Sequence, residues 1–161
     1  MKRKLVKIAT VLTALLALTS VWASAWATDV ETLLAAEEAP DGVVFEIASG
    51  EKGLLSRLLP AVKADIKKLR ERFPELPVAI VTHGKEQFDL LTENRDTETA
   101  AHTLAKELVN ADEVNLHVCN VHAGWRNKSP EDFPDYVNVA ATGPAQVRTY
   151  IDMGYVVISS P

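Results

Sequence analysis

Apolar residues along the chain fall into two alternating patterns. Short unbroken runs are separated by longer stretches in which apolar positions recur every three or four residues. Val43-Val44-Phe45-Glu46-Ile47-Ala48 reads as a first strand. Residues 54–73 follow as a helix, with Val62, Ile66, Leu69 and Phe73 on one stripe. Pro60 lies within this stretch, where the missing N–H predicts either the true helix start or a kink. Val78-Ala79-Ile80-Val81-Thr82 is a second strand, apolar throughout as suits a parallel strand covered on both faces. A short helical turn is predicted over 85–91. A helix is predicted over 97–109, with Asp96 as its cap and Ala101, Leu104, Ala105 and Leu108 as its stripe.

The third and fourth strands are read at 114–118 and 137–140. Gly143-Pro144 then opens a helix, with proline in its first turn. Val147, Tyr150 and Ile151 form the predicted buried face, and Gly154 closes the helix. Residues 155–158 are the last strand. The regular alternation predicts a three-layer α/β/α domain with a mostly parallel five-stranded sheet. No internal repeat, low-complexity tract or second domain is visible.

Ahead of this domain lies a different kind of segment. Met1-Lys2-Arg3-Lys4-Leu5-Val6-Lys7 is basic, residues 8–21 are apolar apart from Thr and Ser, and Ala25-Trp26-Ala27 has the form of a cleavage site. Residues 1–27 therefore read as a signal peptide cleaved after Ala27, and the periplasm as the destination. The apolar run is shorter than the ~20 residues of a membrane-spanning helix. Residues 28–41 form an acidic lead-in, a short helix or a mobile arm, ahead of the α/β domain at 42–161.

Cleavage changes the charge. Four of the 17 Lys and Arg and none of the 22 Asp and Glu lie in residues 1–27, so 13 cations face 22 anions and the mature chain carries −9. Nucleic acid is an unexpected partner for such a chain, since phosphate contacts need clustered cations. So is an anionic membrane once the signal peptide is gone. The single cysteine, Cys119, leaves no internal disulfide to form even in an oxidising compartment.

Candidate chemistry collects where the topology predicts it. In open parallel sheets ligands bind beyond the carboxyl ends of the strands. His83-Gly84-Lys85 follows the second strand, Cys119-Asn120-Val121-His122 the third, and Thr142-Gly143-Pro144 the fourth. Strand alternation puts Val114, Leu116 and Val118 on one face and Asn115, His117 and Cys119 on the other. A helix following Cys119 would aim amide donors at its sulfur, and a nearby imidazolium or Arg126 would further favour the thiolate. The alternative is a cysteine that only fills space.

His117, Cys119 and His122 offer nitrogen and sulfur ligands at short spacing, a weak signal for a metal site. A hydrogen-bonded strand histidine is the stronger expectation for His117, and a surface or packing role for His102. No metal and no cofactor are predicted. Ser49-Gly50-Glu51-Lys52-Gly53 has the wrong spacing for a dinucleotide fingerprint, and the chain has no P-loop, nucleophile elbow or C-x-x-C pair. Glu46, inside an apolar strand, calls for an edge position or a buried partner.

Residues 73–86 (FPELPVAIVTHGKE), Leu116-His117-Val118-Cys119, and Gly143-Pro144-Ala145-Gln146-Val147 with Gly154-Tyr155 resemble, in order and spacing, exported members of the DsrE/DsrF-like superfamily. The resemblance covers about residues 43–158. It implies a three-layer α/β fold and a homo-oligomer, often a trimer or hexamer. It also implies a persulfide-carrying cysteine after a central strand, a position matched by Cys119. The signal peptide and the His/Trp-rich segment after Cys119 depart from the cytoplasmic sulfur-relay members.

The resulting expectation is an exported protein that accepts or carries sulfane sulfur on Cys119, at most a sulfur-transfer or carrier protein. His83, His122 and Arg126 would tune the thiol, and a sulfur donor or acceptor protein would be the partner. The alternative is a non-catalytic oligomeric module binding a small ligand or a soft metal at the strand ends. A third is a scaffold in which Cys119 is merely packed.

Overall fold

In the computed structural model, which describes residues 29–159, five strands form one sheet in the order β4-β3-β2-β1-β5. The strands are β1 (Gly42–Ile47), β2 (Val78–Thr82), β3 (Asn115–Cys119), β4 (Asn138–Ala140) and β5 (Tyr155–Ser159). Every pairing is parallel, so the sheet expected to be mostly parallel is wholly so. The helices are α1 (Val30–Leu34), α2 (Leu55–Arg72), α3 (Thr99–Asn110), α4 (Asn120–Gly124) and α5 (Gly143–Asp152). They cover both faces, giving the three-layer α/β/α architecture. Among the described residues no helix is long and apolar enough to cross a membrane. The signal-peptide reading falls on residues 1–27, outside the described ones.

The two faces are covered unequally. Successive strands β1 to β4 step in one direction, and α2 and α3 pack on one side over Val43, Phe45, Ile47, Ile80, Leu116 and Val118. The β4-to-β5 connection runs back across the whole sheet. A right-handed crossover in that direction needs the opposite face. There α5 packs Val147 and Tyr150 on Val44, Ala79 and Val81. The third strand divides its side chains as its alternation predicts, with Val114, Leu116 and Val118 in the larger core.

Two sequence expectations, Asp96 as a cap and Ile151 on a buried face, are corrected. The second helix begins at Leu55, five residues before Pro60, so the proline is not its start. Its buried stripe starts at Leu55 and Leu59, while Pro60 lies on the exposed side. Asp96 does not cap α3. Residues 94–98 coil into a turn closed by Thr97 N and Glu98 N on Asn94 O, and the cap position falls to Glu98. Ile151 is 39% exposed, because the single helix on its face has no neighbour to cover its flank. Of the two settings Glu46 calls for, the edge position is excluded, since β1 lies between β2 and β5.

The acidic lead-in resolves to α1, whose cap Asp29 accepts from Thr32 N at 2.7 Å and whose Leu33 is buried in the core shared with α2. The turn after β2 is a 3₁₀ helix, Lys85–Leu90. Thr142 caps α5 by accepting from Ala145 N at 3.1 Å. Gly154 ends it at φ +85°, a conformation that favours glycine, against the Asp41 carboxylate.

Candidate functional site

The connections after β3 and β4 diverge. From β3 the chain enters α4, and Ala123, Phe133 and Val137 join the core on the α2 and α3 side. From β4 it enters α5 on the other side. Their carboxyl ends therefore flank a topological switch point, the place where open α/β sheets bind ligands. Cys119 is the last residue of β3 and pairs with Ala140 of β4 across this point.

Register builds the rest of the site. Thr82 pairs with Val118, so His83 stands opposite Cys119, about 4.8 Å away across neighbouring strands. Glu46 pairs with Val81, which places it on the same α5-side face. The His83 Nε2–H donates to Glu46 Oε1 at 2.9 Å. The His122 Nδ1–H donates to the backbone oxygen of His83 at 2.8 Å. The His122 backbone N–H, in the first turn of α4, donates to Cys119 Sγ at 3.4 Å. Glu46, His83, His122 and Cys119 thus form one connected chain, in which Glu46 has the partner its sequence position called for.

Each acceptor also fixes a tautomer. A carbonyl oxygen can only accept, so neutral His122 carries its proton on Nδ1 and leaves Nε2 as a lone pair. A carboxylate accepts likewise, so neutral His83 carries its proton on Nε2 and leaves Nδ1 free. Neither free nitrogen has a hydrogen-bond partner among the described residues, and neither is a sealed buried atom. Both reach solvent.

Buried polar residues hold this geometry. Gln87 is fully buried, and its Oε1 accepts from Cys119 N at 2.7 Å. Its Nε2 is buried without a partner. Glu86, also fully buried, accepts from Ser49 N at 2.8 Å, Thr82 Oγ1 at 2.6 Å and Gly84 N at 2.8 Å, tying the loops after β1 and β2 together. Asp89 accepts from Gly53 N and Leu55 N at the start of α2, and burial raises its carboxyl above the usual range. Gly143 abuts the His83 ring so closely that a Cβ would overlap it.

Of the residues singled out from sequence, His83, Cys119 and His122 come together. Arg126 does not join their hydrogen-bond chain; its guanidinium lies over the Phe88 ring at 5.5 Å. That ring in turn meets the edge of His122 at 5.1 Å. The His117 Nε2 is engaged with Tyr150 Oη at 2.9 Å, and burial lowers its affinity for a proton, as expected of a hydrogen-bonded strand histidine. Among the described residues no three His, Cys, Asp or Glu side chains are gathered to hold a metal ion.

His102 is a packing residue, bonded to Tyr136 Oη at 2.6 Å and Leu91 O at 3.1 Å. Sequence reading missed Gln87 and the anchoring role of Glu86. Nothing in their hydropathy separates a buried polar residue from a solvated one.

A groove of about 580 Å³ lies along α2, between Pro60, Lys63, Lys67, Arg70 and Asp112. It offers no thiol and no histidine, so the chemistry favours the strand-end site.

No family model and no curated protein matches the chain. Among solved structures it is similar to MTH1491 from Methanobacterium thermoautotrophicum, a protein of unknown function. The TM-score is 0.57 at 15% identity, covering 73% of this chain and 97% of that one. At that identity the likeness is one of fold, and it agrees with the α/β architecture described above.

Proposed function

We propose that this chain is an exported DsrE/DsrF-like protein that accepts and carries sulfane sulfur on Cys119. The observation that supports this most is the setting of the thiol. Cys119 ends a strand at the switch point, its sulfur accepts the His122 N–H, and its own N–H is held by Gln87. The thiolate is the nucleophilic form of a cysteine.

In the loading step the Cys119 thiolate attacks the outer sulfur of a donor hydropersulfide, R–S–SH. A sulfur–sulfur bond forms at Cys119 and the donor's breaks. The donor departs as R–S⁻ with the electron pair, while the proton stays on the transferred sulfur. No external oxidant or reductant is needed, because sulfane sulfur keeps its oxidation level. Cys119 is 5% exposed, which suits a small terminal sulfur as the entering group and shields the product from solvent.

A homo-oligomer, trimer or hexamer, belongs to the same proposal. It is supported by apolar side chains left open on α4 and at the C-terminal ends of α4 and α5: Val121 at 43%, Trp125 at 75% and Met153 at 54% exposure. The periplasm is the proposed compartment.

Alkylation of the native protein tests the reading. Iodoacetamide should modify Cys119 under conditions where the fold is intact, and Cys119→Ser should take up none. A native protein that resists until it unfolds would make Cys119 a packing residue and end the carrier proposal. Protection that appears only with a soft metal would favour the binding module instead.

A further inference from the structure

We propose that His83, oriented by Glu46, is the proton acceptor for the second half of the carrier cycle, and that the acceptor substrate is therefore a protonated thiol. This rests on the carrier reading of Cys119. It concerns a different step and different atoms.

The geometry separates two roles among the histidines. His122 holds structure around the sulfur: its backbone N–H is on Sγ and its ring Nδ1–H is on the His83 carbonyl, and among the described residues no carboxylate is bonded to its ring. His83 donates its Nε2–H to a carboxylate, at Glu46 Oε1. Its Nδ1 is a lone pair at the strand end opposite Cys119.

Against the ring lie Glu46 from β1 and the backbone of Gly143 at the start of α5, while the His122 ring is bonded to the backbone carbonyl of His83. The overlap that a Cβ at residue 143 would cause falls on His83 Cβ, Cγ and Cδ2. Gly143 thus packs the edge that runs toward Nε2. A carboxylate on one ring nitrogen holds the tautomer whose other nitrogen takes a proton, and it stabilises the imidazolium that forms.

The step balances as follows. The acceptor R′–SH attacks the outer sulfur of Cys119–S–SH. The new R′–S–SH bond forms, and the Cys119 sulfur–sulfur bond breaks with its electron pair going to Sγ. The His122 N–H receives that developing charge. The acceptor's proton passes to His83 Nδ1 and then to Cys119 Sγ, regenerating the thiol. Sulfite, by contrast, attacks as a dianion with no proton on its nucleophilic sulfur, and would need no such base.

The test is release of sulfur from the loaded, full mature protein to two acceptors, a small thiol and sulfite. His83→Ala should slow release to the thiol by about 10²-fold or more, while release to sulfite stays unchanged. Added imidazole should restore part of the thiol rate. Glu46→Ala should act in the same direction, with Glu46→Gln milder because it keeps an acceptor for Nε2–H; this pair serves if His83→Ala does not fold.

Thiol release at the wild-type rate in both Glu46→Ala and His83→Ala would overturn the proposal. So would equal losses with thiol and sulfite, which would make the pair structural. Failure of the wild-type protein to load sulfur would instead remove the carrier reading beneath it. In that event ¹⁵N spectra of the two imidazoles would still show whether His83 is protonated at Nε2 and His122 at Nδ1.

Discussion

Replacing Glu86 by alanine should cost about 3–5 kcal/mol of stability. The carboxyl group is fully buried and accepts three hydrogen bonds, from Ser49 N, Thr82 Oγ1 and Gly84 N. Removing it strands three donors, and a buried donor left unpaired costs about 1–3 kcal/mol. Thr82 is fully buried and bears the upper end of that range, whereas Ser49 and Gly84 are half-buried and can recover water. The total is a large part of the roughly 5–15 kcal/mol that separates folded from unfolded domains.

Glu86→Gln should cost less, about 1–3 kcal/mol. Its remaining oxygen can serve Thr82 and Gly84, while its amide N–H₂ faces the Ser49 N–H. Urea unfolding followed by circular dichroism measures both. With a slope of about 1–3 kcal/mol per molar, the alanine variant's midpoint should fall by roughly 1 M or more. A loss below about 1 kcal/mol for Glu86→Ala would refute the reasoning. So would equal losses for Ala and Gln, because the amide would then have rescued nothing.

Three further outcomes are expected. Gly143→Ala forces a methyl into the His83 ring and should cost about 1–3 kcal/mol in the same urea assay; a neutral substitution would mean that the contact relaxes freely. Burial lowers the proton affinity of both His102 and His117. The unfolded chain then takes up protons first, so stability should fall as pH drops through about 6.5, and less steeply in His102→Gln; a urea midpoint flat from about pH 7.5 to about 5.5 would contradict this. N-terminal sequencing of the exported protein should begin at Thr28, and recovery of an uncleaved membrane-bound chain would contradict the signal-peptide reading.

The fold was legible because each buried element repeats its environment along the sequence. The unbroken run Val78–Thr82 suits a strand covered on both faces, and all five residues are buried. Thr142, Gly143-Pro144 and Gly154 marked both ends of α5 through local chemistry that needs no tertiary context. Pro60 is not the start of its helix because Leu55 and Leu59 extend the buried stripe ahead of it. Asp96 misled because a turn formed in its place.

At the site, the strand ends carrying His83, Cys119 and His122 followed from topology alone. The Glu46–His83 pair did not, since it depends on register between β1 and β2. Gln87 and Glu86 were invisible for a further reason. A polar residue in a short turn reads as solvated until the loops that bury it are in place.

Intact mass spectrometry of the mature protein after treatment with a sulfane-sulfur donor tests the central claim most directly. The expected result is a gain of one sulfur atom, reversed by a thiol reductant and absent in Cys119→Ser. An unchanged mass in the folded wild-type protein, or an equal gain in Cys119→Ser, would contradict the assignment of Cys119 as the sulfur carrier.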